Sequence, residues 1–180
     1  MLALMVSVVL LNSGVGHLRL GLLEKSEFRH LKLLLAKLDE DAASDDDIEN
    51  VMAKYAESFD RMDFLIHSIA FADREWLSKG NFHQTPRKAF LDAIDISAYT
   101  LLGMTRAAKP MMERTGGSVL AMSYYGAEKV VPGYNIMGVA KSCLESTMRY
   151  LAAEMGEFGI RVNTISGGYL RTLASSAVCG

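Results

Sequence analysis

Only two cysteines, Cys143 and Cys179, occur in the 180 residues, far apart and with no C-x-x-C pair. That usage leaves no thiol framework to account for, suits a reducing compartment, and makes both cysteines structural or incidental. A surplus of charge of either sign is also missing: 19 basic against 21 acidic residues leave a net charge of −2. Nothing therefore argues for the broad positive field that nucleic acid requires, or for a membrane surface, and a small-molecule partner is expected. There is no internal repeat and no low-complexity segment. No apolar run is long enough to span a bilayer; the longest, Met1 to Leu11, is about half the length needed. No Lys or Arg precedes Arg19, which speaks against a signal peptide, although Ser13 and Gly14 follow the run as a small-residue cleavage region would. Val6-Ser7-Val8-Val9-Leu10-Leu11 reads instead as a buried first strand, and the expected location is cytoplasmic.

What is present is a core. Half of the residues are hydrophobic and 22% are charged, the balance of one globular domain covering residues 1–180. From Leu22 to Leu38 apolar residues recur at helical spacing among Lys, Glu and Arg. Asp39 to Asp47 then holds six carboxylates. A metal site is one reading of that cluster. The simpler one makes Ser44 the cap of a helix whose positively polarised first turn takes Asp45, Asp46 and Asp47. This helix should reach about Phe59 and bury Val51, Met52, Tyr55 and Phe59.

Asp63 to Ile69 has the length and composition of a strand, and a long helix is predicted from Pro86 to about Met112. Ser118 to Met122 reads as a second strand after Gly116-Gly117, Tyr134 to Met155 as a helix, and Gly159 to Ser166 as a further strand before Gly167-Gly168. Strands alternating with helices predict an α/β fold, a Rossmann-like doubly wound parallel sheet with helices on both faces. In such sheets ligands bind beyond the C-terminal strand ends. The segments after Ile69, Met122 and Ser166 should meet there.

Tyr134 and Lys141 lie seven residues apart on a predicted helix. Seven residues is nearly two turns, so both side chains leave one face, about 10 Å apart along the axis. A tyrosine hydroxyl can donate to an oxygen on which negative charge develops, and a lysine ammonium can hold cofactor hydroxyls; neither role needs a metal. A Tyr and a Lys at this spacing occur by chance in many helices, so the surrounding residues decide the matter.

Those residues are Ser123-Tyr124-Tyr125-Gly126-Ala127-Glu128-Lys129 and Pro132-Gly133-Tyr134-Asn135-Ile136-Met137-Gly138-Val139-Ala140-Lys141. The stretch resembles the active-site segment of the NADH-dependent enoyl-acyl-carrier-protein reductases, a divergent branch of the short-chain dehydrogenase/reductase family. In that family two tyrosines ten apart precede the lysine, which selects Tyr124, Tyr134 and Lys141 as catalytic residues. An ordinary short-chain dehydrogenase has its lysine four residues after the tyrosine and a serine about a dozen before it. Gly138 and Ala121 stand there in this chain, so a ketoreductase reading is rejected.

The resemblance covers roughly residues 41–177. It implies cofactor contacts from Asp41 and Ala42 at the adenine, from Ser68 and Ile69, from Lys141 at the ribose, and from Leu170, Arg171, Thr172, Leu173 and Ala174 in the loop over the nicotinamide. It implies substrate contacts from Ala72, Tyr124 and Met137, although a helical methionine is more often core filler. Asp95-Ile96-Ser97 and Tyr99 match a family pattern whose role in helix packing is equally reasonable. The implied activity is reduction of the trans-2 double bond of an enoyl thioester on acyl carrier protein by NADH, in a homotetramer. The alternative is a non-catalytic remnant or assembly partner without a complete cofactor site. That alternative is kept because Asn12-Ser13-Gly14-Val15-Gly16-His17 does not match the family's phosphate-binding fingerprint. Ala42, Gly167 and Tyr169 replace the family's valine, alanine and proline, and the pattern is incomplete at both ends. The expectation is weak NADH binding and no stable monomer.

Overall fold

In a computed structural model, the chain is described over the backbone of residues 7–11 and over residues 42–167. The helix expected at Leu22–Leu38 lies outside these residues, as do Asp41 and Leu170–Ala174. Four strands form one sheet in the order β1 (Ser7–Leu11), β2 (Phe64–Ser68), β3 (Gly117–Tyr124), β4 (Ile160–Gly167). β2, β3 and β4 are parallel, with His67 opposite Ala121 and Tyr124 opposite Gly167. β1 is a strand, as its composition predicted, but it runs antiparallel to β2, Ser7 opposite Ser68 and Leu11 opposite Phe64. A run of apolar residues carries no information on strand direction, and an antiparallel edge strand on an otherwise parallel sheet is a common arrangement.

Helix α1 (Asp45–Ala56) begins where Ser44 accepts a hydrogen bond from the Asp47 N–H at 3.2 Å. Asp45 reaches across to Arg106 (3.1 Å) and accepts from the Tyr99 hydroxyl (2.9 Å), so the acidic cluster is a helix start tied to its neighbour. The buried stripe holds Ile48, Met52 and Tyr55. Phe59 lies beyond the helix end and is 36% exposed, and Val51 is half-buried, which corrects the expected stripe at both residues.

The long helix expected from Pro86 is continuous but not uniform. α2 (Arg87–Ile94) passes through a π-helical turn, Asp95–Tyr99, into α3 (Thr100–Met112). The wider turn changes which side chains face inward. Ser97 accepts from the Phe71 N–H (2.9 Å) and donates to the Phe71 carbonyl (3.1 Å), fixing the segment after β2. Thr100 lies under β2, where its Oγ1 is 2.7 Å from His67 Nε2. Such turns are frequent at functional sites.

One core forms between the sheet and α1, α3 and α4 (Asn135–Met155). It contains Leu65, Val119, Ala121, Ile160 and Val162 from the strands with Leu101, Met104, Ala108 and Leu144 from the helices. The alternate strand residues point the other way: Ile66, Leu120 and Met122 are half-buried and Ile165 is 44% exposed. Among the described residues, then, the helices cover one face of the sheet, in a Rossmann-like α/β arrangement. A smaller apolar cluster of Leu77, Ala93, Ile136 and Met137 lies at the other end of α4, with Ala72, Trp76 and Tyr134 against it.

Candidate active site

The C-terminal ends of β2 and β3 and the start of α4 converge on three side chains. β3 ends at Tyr124, and a single turn, Tyr125–Ala127, begins the connection to α4. Tyr134 is the residue immediately before that helix. The Tyr124 and Tyr134 rings meet edge to face, centroids 4.7 Å apart and planes at 61°, a favoured arrangement for aromatic quadrupoles. Lys141 is buried on the same helix and donates to the Met122 carbonyl at 2.7 Å. The three residues singled out from the sequence are thus assembled at one sheet edge.

Their environment sets their charge. Burial pushes the Tyr134 phenol above its ordinary value, and the neighbouring Tyr124 adds to the shift, so Tyr134 is a neutral donor. Burial lowers the Lys141 ammonium to about 8, with Glu145 partly opposing the change. The bond to Met122 uses one of its three N–H groups, leaving two donors for a ligand.

The other predicted residues fall in several places. Ser68 ends β2 and is half-buried, while Ile69 beside it is 1% exposed with its side chain in the main core. Ala72 and Met137 pack in the small apolar cluster that also receives Tyr134. Ala42 is buried in the main core. Asp41, Leu170, Arg171, Thr172, Leu173 and Ala174 lie outside the described residues.

Several contributors carried no sequence signal strong enough to assign them a role. His67 lies within the Asp63–Ile69 strand segment, yet only the structure shows it buried against Thr100. Ser142 donates toward the Ala127 and Gly138 carbonyls (2.6 and 3.0 Å), clamping the β3–α4 connection onto the helix. Gly138 permits that approach: a Cβ there would lie 2.8 Å from the Gly126 carbonyl oxygen. A groove of about 390 Å³ runs between residues 126–132 and the start of α4, with Tyr134 in its wall.

A parallel α/β core with a Tyr immediately before the helix after β3 and a Lys seven residues later on that helix is the arrangement implied by the resemblance to the divergent branch of the short-chain dehydrogenase/reductase class. The sequence model described as enoyl-(acyl carrier protein) reductase matches residues 27–180, and the chain belongs to that family. It is 46% identical over 140 residues to the enoyl-acyl-carrier-protein reductase (NADH) of Aquifex aeolicus, covering 78% of this chain and 52% of that protein. The Synechocystis protein of the same description is 49% identical over 140 residues, covering 78% and 54%. The chain thus spans about half the length of the curated relatives it matches. Among solved structures, the Anaplasma phagocytophilum enoyl-acyl-carrier-protein reductase in complex with NAD has a TM-score of 0.75 at 40% identity, covering 86% of this chain and 60% of that one. The Aquifex aeolicus enzyme has a TM-score of 0.71 at 45% identity, covering 73% and 56%.

Proposed function

We propose that this chain carries the catalytic centre for reduction of the trans-2 double bond of an enoyl thioester on acyl carrier protein, with NADH as reductant. The observation that carries the reading is the placement of Tyr124, Tyr134 and Lys141 at the C-terminal sheet edge, with Tyr134 neutral and Lys141 cationic below about pH 8.

The residues present fit the nicotinamide half of a dinucleotide. Lys141 has two unspent N–H donors, and the half-buried Ser68 ends the strand beside β3. These two would hold the cofactor, with Ile69 beside them. Ala42 and Asp41 are assigned to the adenine end, and Leu170, Arg171, Thr172, Leu173 and Ala174 to the covering loop. NADH, when bound, supplies the hydride for the β-carbon of the enoyl group.

Hydride addition leaves enolate charge on the thioester oxygen, to which Tyr134 donates its hydroxyl, and a proton taken up from solvent at the α-carbon then gives the saturated thioester. A group that stays protonated makes this donation without a proton transfer, and donation to a charge present only after hydride addition favours the transition state over the bound substrate. Tyr124 packs against Tyr134 and shapes the acyl site with Ala72 and Met137. Lys141 holds the ribose hydroxyls and so fixes the reacting atoms at a short distance, where most of its effect arises. The same reading assigns a cytoplasmic homotetramer with acyl carrier protein as partner.

The test is NADH oxidation with a short trans-2-enoyl thioester, comparing the chain with Tyr134→Phe and Lys141→Ala. Loss of one oxyanion donor should reduce kcat by roughly 10²–10³. No turnover favours the non-catalytic alternative, and turnover indifferent to both changes shows that Tyr134 and Lys141 do not carry the activity.

A further inference from the structure

Tyr134 lies between two residues with unusual backbone conformation: Gly133 has φ +82° and Asn135 has φ +36°. Asn135 is the only non-glycine with positive φ among the described residues. Asparagine tolerates this region better than most residues, but it costs energy there and persists only when the surroundings hold it. The holding contacts are visible. Asn135 Nδ2 donates to the Ser78 carbonyl at 2.7 Å and to the Trp76 carbonyl at 3.1 Å. Both acceptors are carbonyls, so the amide nitrogen and not its oxygen must face them. The start of α4 is thereby tied to the segment after β2, itself fixed by Ser97 through Phe71.

The ring of Tyr134 is limited from the opposite side. A Cβ at Gly126 would come 2.4 Å from Tyr134 Cδ1 and 2.8 Å from its Cε1, closer than real contacts allow. Gly126 does not have positive φ, so its lack of a side chain is not explained by its own backbone. The missing Cβ is the space the Tyr134 ring occupies.

We infer that Gly126 and Asn135 are positioning residues for Tyr134: Asn135 sets where its backbone enters the helix, and Gly126 leaves the single space in which its ring can lie against Tyr124. The inference rests on the proposed reaction only for its kinetic consequence. Its structural content stands on the geometry alone.

The experiment uses the full chain with Gly126→Ala and Asn135→Gly. Alanine fits the backbone at 126 and adds only the clashing methyl. Glycine at 135 keeps access to positive φ and removes only the tether. Each should reduce kcat at least tenfold while leaving KM for NADH within about twofold, since a misplacement of about 1 Å at a reacting group can cost a hundredfold. In a Tyr134→Phe background neither change should reduce kcat further, because the hydroxyl it positions is gone. Unchanged kcat, or a loss that persists undiminished in that background, overturns the inference. NMR of ring-labelled tyrosine, with Tyr134 assigned from the Tyr134→Phe spectrum, tests the seat without turnover. Shifted Tyr134 signals in both variants support it, and unchanged signals overturn it whatever the catalytic result. A chain that turns over no thioester but shows shifted signals would sink the proposed function and leave the seat intact.

Discussion

His67 donates its Nε2–H to the Thr100 hydroxyl across 2.7 Å, and the direction follows from Thr100 itself. The one proton of Thr100 goes to the Ile96 carbonyl at 2.7 Å, so its oxygen can only accept from the ring. A single imidazole tautomer is thereby fixed beneath the parallel sheet, opposite Ala121 in the ladder.

Burial lowers the His67 pKa to about 3, and the positive charge of Lys141 adds to the effect. The unfolded chain binds this proton near its ordinary value of about 6.5. Stability from the neutral ring is therefore complete above about pH 6.5 and is lost as pH falls toward 3. Urea midpoints should decline with acid across that window, and His67→Leu should flatten the decline. Thr100→Val, which leaves the buried N–H without an acceptor, should cost about 1–3 kcal/mol at neutral pH. An acid slope identical in His67→Leu would show that other groups produce it.

For Tyr134 the sign is opposite. Burial raises the phenol pKa, with the Tyr124 phenol as the second cause. The neutral form is favoured in the folded state, so this contribution is present below about pH 10 and is lost as pH rises through the folded value. Tyr124→Phe removes the smaller cause and keeps most of the burial. Titration followed by tyrosine ring NMR should place Tyr134 lower in that variant yet still above 10. A value falling to 10 would mean that the ionising neighbour, not burial, sets the shift.

Much of this arrangement was legible because local chemistry and tertiary structure agree. The start of α1 was readable since Ser44 and the three aspartates after it meet the needs of a helix N-terminus whatever packs on it. The Tyr124, Tyr134 and Lys141 set was singled out by the resemblance of residues 123–141 to a family segment, since the spacing of a Tyr and a Lys alone occurs by chance in many helices. The π-helical turn was not, since Asp95 to Tyr99 continues the apolar period of the helices on either side. The choice is made by tertiary partners, Phe71 for Ser97 and His67 for Thr100. The antiparallel β1 was hidden for a related reason: direction is set by which sheet edge a strand meets. Gly126 and Asn135 carry their message in absences and backbone angles, which appear only once Tyr134 is in place.

Ser44 offers a test of the most local of these features. Its side chain satisfies the Asp47 N–H, one of the donors that the first turn of α1 leaves without a helical partner. Ser44→Ala should lower stability by about 1 kcal/mol, while Ser44→Asp should retain most of it. Chemical denaturation of the three chains checks this. Equal stability of the alanine variant would show that the Asp45 contacts to Arg106 and Tyr99 hold the helix start unaided.

Lys141 joins stability to the proposed reaction. Its ammonium titrates near 8 in the folded chain because burial disfavours the charge, against about 10.5 for a free lysine. Between those values the folded chain has lost the proton while the unfolded chain keeps it, so stability rises with pH from about 8 to about 10.5 and the benefit is lost below. Ligand binding should run the other way. If the ammonium holds ribose hydroxyls, NADH affinity is greatest below about pH 8 and declines above it as the charge disappears. Lys141→Met should bind NADH more weakly at pH 7 and show neither the decline in affinity nor the rise in stability. His67 is already neutral throughout this window, and Tyr134 titrates well above it, so the inflection near 8 belongs to Lys141. Fluorescence titration of NADH from pH 6 to 10 on both chains measures it, and an inflection that survives in Lys141→Met would assign the effect to another group.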